Sequence, residues 1–508
     1  MHLALIDWVI IVVYLVGCMT AGVWMRKFVH NVEEFAVAGR EMDVNVGIAS
    51  LAATELGLVT IMYTAQLGYE KGFAGATIGV IMAVAMYLVG RTGFVIAPLR
   101  EAGVMTIPEL FEKRFGKGVR WTAGLFVVLG GVLNMGIFLR LGGEFLVNAT
   151  GMSRASHALE WVMTILLGLV LLYTVMGGML SVLVTDYLQF IVMGLGIVIT
   201  SALVIHNIGW NTLVEKLWAC WSPASGEMQT LKSHPFNPLH PSNFGWRYIA
   251  WQLLFQIAVV TTWQTQISRV LASKDARTAR KMYSRTAFYF VGRFALPGLW
   301  GAAALVYFTG HGGLPQGLDS LKAMPVYLAT ILPVGLIGIV IAGMLAAEMS
   351  TDSGYLLTWA TVIYNDLISP CVKNPLSAKG KLLITRGLVL AIGVFLLFYG
   401  LWYQPPGNAW DYLAVTGSIY LASVFTLLVA GLYWRRATAT GAYAALVLGA
   451  VGPLTFLVVN LVVPKEKQID PEVAGAAAFG LAFAGMIVGS MLTAPQNLEQ
   501  KISAGEKA

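Results

Sequence analysis

Residues 346–353 read Ala346-Ala347-Glu348-Met349-Ser350-Thr351-Asp352-Ser353, with Thr358 and Thr361 further along the same apolar run. That run extends from about residue 325 to 364. Charges inside so apolar a segment need a reason, because a charged side chain at the bilayer centre costs at least about 2.5–3.5 kcal/mol. At helical spacing Ala347, Ser350 and Thr351 share one side. That side offers two hydroxyl oxygens and a carbonyl without a fixed negative charge, which suits a partly dehydrated sodium ion. Ser and Thr also bond back to their own helix. Ser-Thr-Asp-Ser in succession is more polar than that role requires, so the ion-binding reading is preferred.

The rest of the chain supplies the setting. Only 12% of its 508 residues are charged, against about a quarter in a soluble domain, and 57% are hydrophobic. Apolar runs such as WVIIVVYLVGCMTAGVW (8–24) and GLFVVLGGVLNMGIF (124–138) recur along the chain, and about 18 such residues suffice to span a bilayer. A soluble enzyme, a disordered scaffold and a disulfide-built secreted domain are excluded. The expected class is an all-α polytopic membrane protein. The first run lacks a basic leader and is followed by Arg26 and Lys27, so it reads as a span and not as a cleaved signal. Cys18, Cys220 and Cys371 have no metal or redox spacing. No nucleotide, zinc, nucleophile or haem motif has a usable context, and an enzyme is not expected.

About 13 transmembrane helices are predicted, near 5–25, 44–69, 73–98, 121–148, 159–177, 180–206, 247–268, 284–310, 325–364, 382–402, 410–434, 441–463 and 473–494. Pro333 is expected to part a short outer segment from the ninth span. Of the 33 lysines and arginines, 22 fall in one set of loops, including Arg269 and Lys501, and eight fall in the other. Positive residues stay inside, so the N-terminus is expected outside and the C-terminus in the cytoplasm of a cell (inner) membrane. The net charge of +7 is therefore read as topology, with no nucleic-acid partner.

Further polar residues lie within the spans. Arg140 and Glu144 are four apart and can pair on one helix face. Arg91 and Arg293 lie nearer span ends, where a snorkelling structural role is expected. Glu55 sits among small residues in Ala52-Ala53-Thr54-Glu55-Leu56-Gly57, bracketed by Gly47, Gly57 and Gly68, which weaken a helix. An unwound segment there would expose carbonyls to a hard cation. Close packing at a helix crossing explains the small residues equally well.

The sequence resembles the sodium:solute symporter family, which includes bacterial proline, sugar and sialic acid carriers. The likeness rests on Phe35–Arg40, Thr106–Gly116, Tyr173–Ser181 with Thr185-Asp186, Arg269–Ala272 with Lys274-Asp275, Met349–Ser353 and Gly431–Trp434, in that order between about residues 5 and 445. The resemblance implies an inverted-repeat (5+5), LeuT-like core with extra helices. Segments 44–206 and 247–434 are the two repeats. Residues 1–43 and 435–508 are peripheral, and 207–246 form an ordered outer loop.

It further implies a sodium site made of the Ala53, Leu56 and Ala347 carbonyls with the Ser350 and Thr351 hydroxyls. A second sodium is implied near Asp186 and Ser353, although Gly354 stands where a hydroxyl is expected and Asp352 is the candidate substitute. Solute candidates are Glu55, Arg140, Gln256, Trp263, Thr416 and Ser418. Arg140 resembles the arginine that holds a carboxylate in sialic acid carriers. Val259 and Val260 depart from the aromatic gate of sugar carriers. The expectation is Na+-coupled import of a small organic solute by alternating access, through a monomer or weak oligomer in the lipid bilayer. A membrane solute sensor built on the same bundle is the rival, and the solute class stays open between sugar and carboxylate or amino acid.

Overall fold

The computed structural model describes residues 4–152, 156–223, 229–372, 376–403, 409–464 and 467–493. Among them the basic residues Arg154, Lys373, Lys465, Lys501 and Lys507 do not appear. The described residues are helical and form no β-strand, and one isolated bridge joins Met42 to Ser273. It runs through α1 (Leu5–Trp24), α2 (Val32–Val37), α3 (Val44–Glu55), α4 (Leu58–Lys71), α5 (Thr77–Thr92), α6 (Ile96–Glu101) and α7 (Ile107–Phe115). Next come α8 (Lys117–Met135), α9 (Phe138–Thr150), α10 (Ala158–Ile208), α11 (Trp210–Trp221), α12 (Gly245–Thr262) and α13 (Gln264–Ala272). The remainder is α14 (Ala276–Gly310), α15 (Ser320–Ile331), α16 (Leu336–Val362), α17 (Ala378–Trp402), α18 (Ala409–Tyr433), α19 (Ala439–Val462) and α20 (Pro471–Met491).

Ten stretches among the described residues are long and apolar enough to cross a membrane, fewer than the thirteen expected. The difference comes from merged and broken helices. The 51 residues of α10 would reach about 75 Å at 1.5 Å per residue, far beyond a bilayer core of about 30 Å. The chain turns back at Gly178 (φ 50°, ψ −142°), which divides α10 into the two spans read from sequence. Phe35 lies against that glycine, where a Cβ would touch its ring.

The expected spans 44–69 and 247–268 are each discontinuous. The first breaks between α3 and α4, where Leu56 (φ −100°, ψ 53°) leaves helical geometry. The second breaks between α12 and α13 at an extended Trp263 (φ −63°, ψ 108°). Each of the two expected five-span units therefore opens with a broken helix. The first unit continues through α5, α8 with α9, and both halves of α10; the second continues through α14, α16, α17 and α18.

Helices α16 and α18 are buried along almost their whole length, whereas α1 leaves most of its surface open. α1 packs on α10 and α16, and α19 and α20 pair with each other against α18. Asp7 of α1 accepts hydrogen bonds from the amides of Gly335 (2.8 Å) and Gly338 (2.9 Å), capping α16 from outside. Pro333 does lie between α15 and α16. In the long loop, His234 packs on Trp221 with ring centroids 4.5 Å apart, and the Pro235 carbonyl accepts from Ala74.

Candidate functional site

The break after α3 is pressed against the centre of α16. Thr351 donates through Oγ1 to the Thr54 carbonyl at 2.8 Å. Gly57 permits this approach, because a Cβ there would collide with the Thr351 side chain. The expected ligand segments of the first sodium site, Ala53 to Leu56 and Ala347 to Thr351, therefore meet. Ser350 donates through Oγ to Asp186 Oδ1 at 2.5 Å. Both hydroxyl protons are thus committed elsewhere, which leaves their lone pairs to face a cation.

Around Asp186 the structure adds a residue that sequence reading placed in a basic loop. Arg269 of α13 is fully buried. It donates to Thr54 Oγ1 at 2.6 Å, to Ser50 Oγ at 3.2 Å and to Asp186 Oδ2 at 3.4 Å. It lies inside because the break at Trp263 ends the span early and carries α13 back into the bundle. Ser50 also donates to Asp186, at 2.5 Å. A guanidinium thus supplies the counter-charge where the resemblance implies a second sodium. Gly354 fits this arrangement, since a Cβ there would lie 2.8 Å from Arg269 Nη2. Ser353 donates to the Ser350 carbonyl at 3.1 Å. Asp352 does not join the cluster: both of its oxygens are buried without a hydrogen-bond partner among the described residues.

Beside the ion segments lies a cavity of about 70 Å³. Glu55, Gln256 and Trp263 line it, as do Thr54 and Thr351. Arg140, Thr416 and Ser418 are not among its lining residues. Arg140 is committed to Glu144 at 3.0 Å and to the carbonyls of Gly400 (3.0 Å) and Leu401 (3.3 Å). Ser418 and Thr416 bond back to carbonyls of their own helix, and Thr416 also accepts from Asn134.

The cavity's charge comes from an unexpected pair. Arg293 of α14 is buried rather than snorkelling, and its Nη1 lies 3.2 Å from Glu55 Oε2. Its Nη2 donates to Thr60 Oγ1 at 3.0 Å and to Tyr63 OH at 3.4 Å. Glu55 Oε1 accepts from Thr265 at 3.3 Å. Opposite charges inside two separate spans were visible in the sequence, but nothing local said which would meet. Trp263 donates to Tyr355 OH at 2.8 Å, and its ring stacks on Tyr420 with centroids 5.8 Å apart.

At the end of the bundle that carries most of the basic loops, a second polar group closes the helices together. Asp366, in a wide turn after α16, accepts from Arg120 of α8 at 2.9 Å and from Thr106 at 2.9 Å. Arg120 also reaches the Asn365 carbonyl at 2.6 Å. Arg100 grips the Ser273 carbonyl at 2.6 Å and the Lys274 carbonyl at 2.9 Å.

Known proteins resemble this chain in sequence and in fold. A sodium/glucose cotransporter of Vibrio parahaemolyticus is 26% identical over 485 residues, covering 89% of this chain and 84% of its own. A mouse sodium/myo-inositol cotransporter 2 is 25% identical, covering 92% and 72%. Among solved structures, a substrate-bound, outward-open Na+-coupled sialic acid symporter superposes with a TM-score of 0.78 at 20% identity, covering 97% of this chain and 98% of the other. The transporter MhsT, in complex with L-phenylalanine, gives a TM-score of 0.52 at 14% identity, covering 89% and 98%. These likenesses establish the LeuT-like fold and describe secondary transporters, not enzymes. The profile of the sodium:solute symporter family matches residues 35–449, and the chain belongs to that family.

Proposed function

We propose that the protein imports a small organic solute, driven by sodium, through alternating access of its two repeats, 44–206 and 247–434. The observation that carries this reading is the contact of Thr351 with the Thr54 carbonyl, where the broken end of α3 meets α16. Sodium would be held there by the Ala53, Leu56 and Ala347 carbonyls and the Ser350 and Thr351 hydroxyls. Such a set of neutral oxygens suits a hard monovalent ion. Because Arg269 already answers the charge of Asp186, the reading takes one sodium per cycle.

The solute is assigned to the cavity lined by Glu55, Gln256, Trp263 and Arg293. Thr54 and Thr351 belong both to its wall and to the ion segments, so either ligand steadies the surface that the other needs. The contacts of Asp366 and Arg100 close the end assigned to the cytoplasm, and inward opening would separate them as α3 leaves α16. The end of α20, where Ser490 meets Thr438, is assigned to that side. Sodium entering along the membrane potential contributes about 2.3 kcal/mol per 100 mV.

Uptake into proteoliposomes tests the reading. A sodium gradient should accumulate solute, and Thr351→Ala should raise the sodium concentration for half-maximal uptake about tenfold, as expected for losing one ligand. Unaltered sodium dependence in a folded variant would remove this site. Binding without accumulation would favour a sensor.

A further inference from the structure

Glu55 and Arg293 form a charge pair in the wall of the cavity, both more than nine-tenths buried. Their contact is a single one, Nη1 to Oε2 at 3.2 Å, rather than a two-pronged fork. Among the described residues, Arg293 Nε is buried with no hydrogen-bond partner. Gln256, also in the lining, donates to Gln252 at 2.9 Å, while its own Oε1 is buried without a partner among the described residues. The lining residues therefore include a guanidinium and an amide, each with one hydrogen-bonding atom unanswered, and a carboxylate. Six aromatic side chains share the remaining lining with aliphatic and small polar residues: Tyr63, Phe138, Phe255, Trp263, Tyr355 and Trp410.

Pairing of the two charges selects among solutes. A lone amine that drew Glu55 away would strand the buried Arg293, and a lone carboxylate that drew Arg293 away would strand Glu55, and stranding a buried charge is costly. A neutral polyol adds no charge, but its hydroxyls form weaker bonds to these groups than an ammonium or carboxylate does. Aromatic rings attract ammonium groups, alkylated ones included.

We propose that the transported solute is a small zwitterion, an amino acid or a betaine, whose ammonium group meets Glu55 and whose carboxylate meets Arg293. The solute thereby replaces the contact that the two side chains make with each other. The inference rests on the assignment of the solute to this cavity.

The test is sodium-dependent thermal stabilisation and proteoliposome uptake for the common amino acids and glycine betaine, with glucose, myo-inositol and pyruvate as comparators. At least one zwitterion should both stabilise and accumulate. For that solute, Glu55→Gln should shift preference about tenfold toward its amine-free analogue, and Arg293→Gln about tenfold toward its carboxylate-free analogue, each through one lost charge-assisted bond. A merely structural pair would lower uptake of all analogues alike, and that outcome overturns the proposal. So does the absence of any zwitterion response. Sodium-driven uptake of a sugar that Trp263→Ala abolishes would refute the zwitterion and keep the cavity. Uptake untouched by Trp263→Ala, Glu55→Gln and Arg293→Gln would instead refute the cavity assignment itself.

Discussion

Arg269 and Asp186 show how a single residue can change meaning between sequence and structure. In the chain, Arg269 opens a basic stretch beside a span and counts toward topology; in the fold it is fully buried against Asp186, Ser50 and Thr54. Removing one partner of a buried ion pair costs about 3–5 kcal/mol, because the other charge is stranded. Arg269→Gln should therefore lower thermal stability sharply, and the double variant Asp186→Asn/Arg269→Gln should recover part of the loss. Thermal unfolding of the purified protein checks this, and a double variant no better than the single one would contradict the pairing. Thr351 and Ser350 were legible in sequence because their spacing alone puts them on one side of a helix. Arg293 was not, since its partner Glu55 lies 238 residues away.

At the scale of helices, the informative events are the two breaks. The one at Leu56 was foreshadowed by Gly57 and by small polar residues around Glu55. The one at Trp263 had no glycine or proline to announce it; it follows from the tertiary packing of Trp263 on Tyr355 and Tyr420. Gly57 does more than weaken a helix, for it admits the Thr351 side chain. Gly57→Ala should place a methyl group into that contact, with an overpacking cost of about 1–3 kcal/mol. It should also raise the sodium concentration needed for half-maximal uptake. A thermal scan together with a sodium titration measures both, and unchanged values would show that the contact is slack. Close packing and unwinding had been competing explanations for the small residues of this region; Gly57 shows that one residue can serve both.

Across the whole molecule, the proposed alternating access requires the end of the bundle that carries Asp366 to open. The junction of Asp366 with Arg120 and Thr106 holds α8 to the turn after α16. Asp366→Asn should weaken that closure. With the native cysteines replaced and Gln264→Cys as a reporter, labelling by a membrane-impermeant thiol reagent from the C-terminal side should quicken about tenfold, equivalent to losing about 1.4 kcal/mol of closure. An unchanged rate would assign the junction to static packing. The amino-acid sequence by itself determined the membrane class, the family and the hydroxyl cluster on α16, because those depend on composition, order and local spacing. Only the tertiary structure decided that Arg269 answers Asp186, that Arg293 rather than Arg140 faces the cavity, and that Asp352 lies outside the Asp186 cluster. Pairing between charges in separate spans depends on how distant helices cross, and helical periodicity carries no information about that.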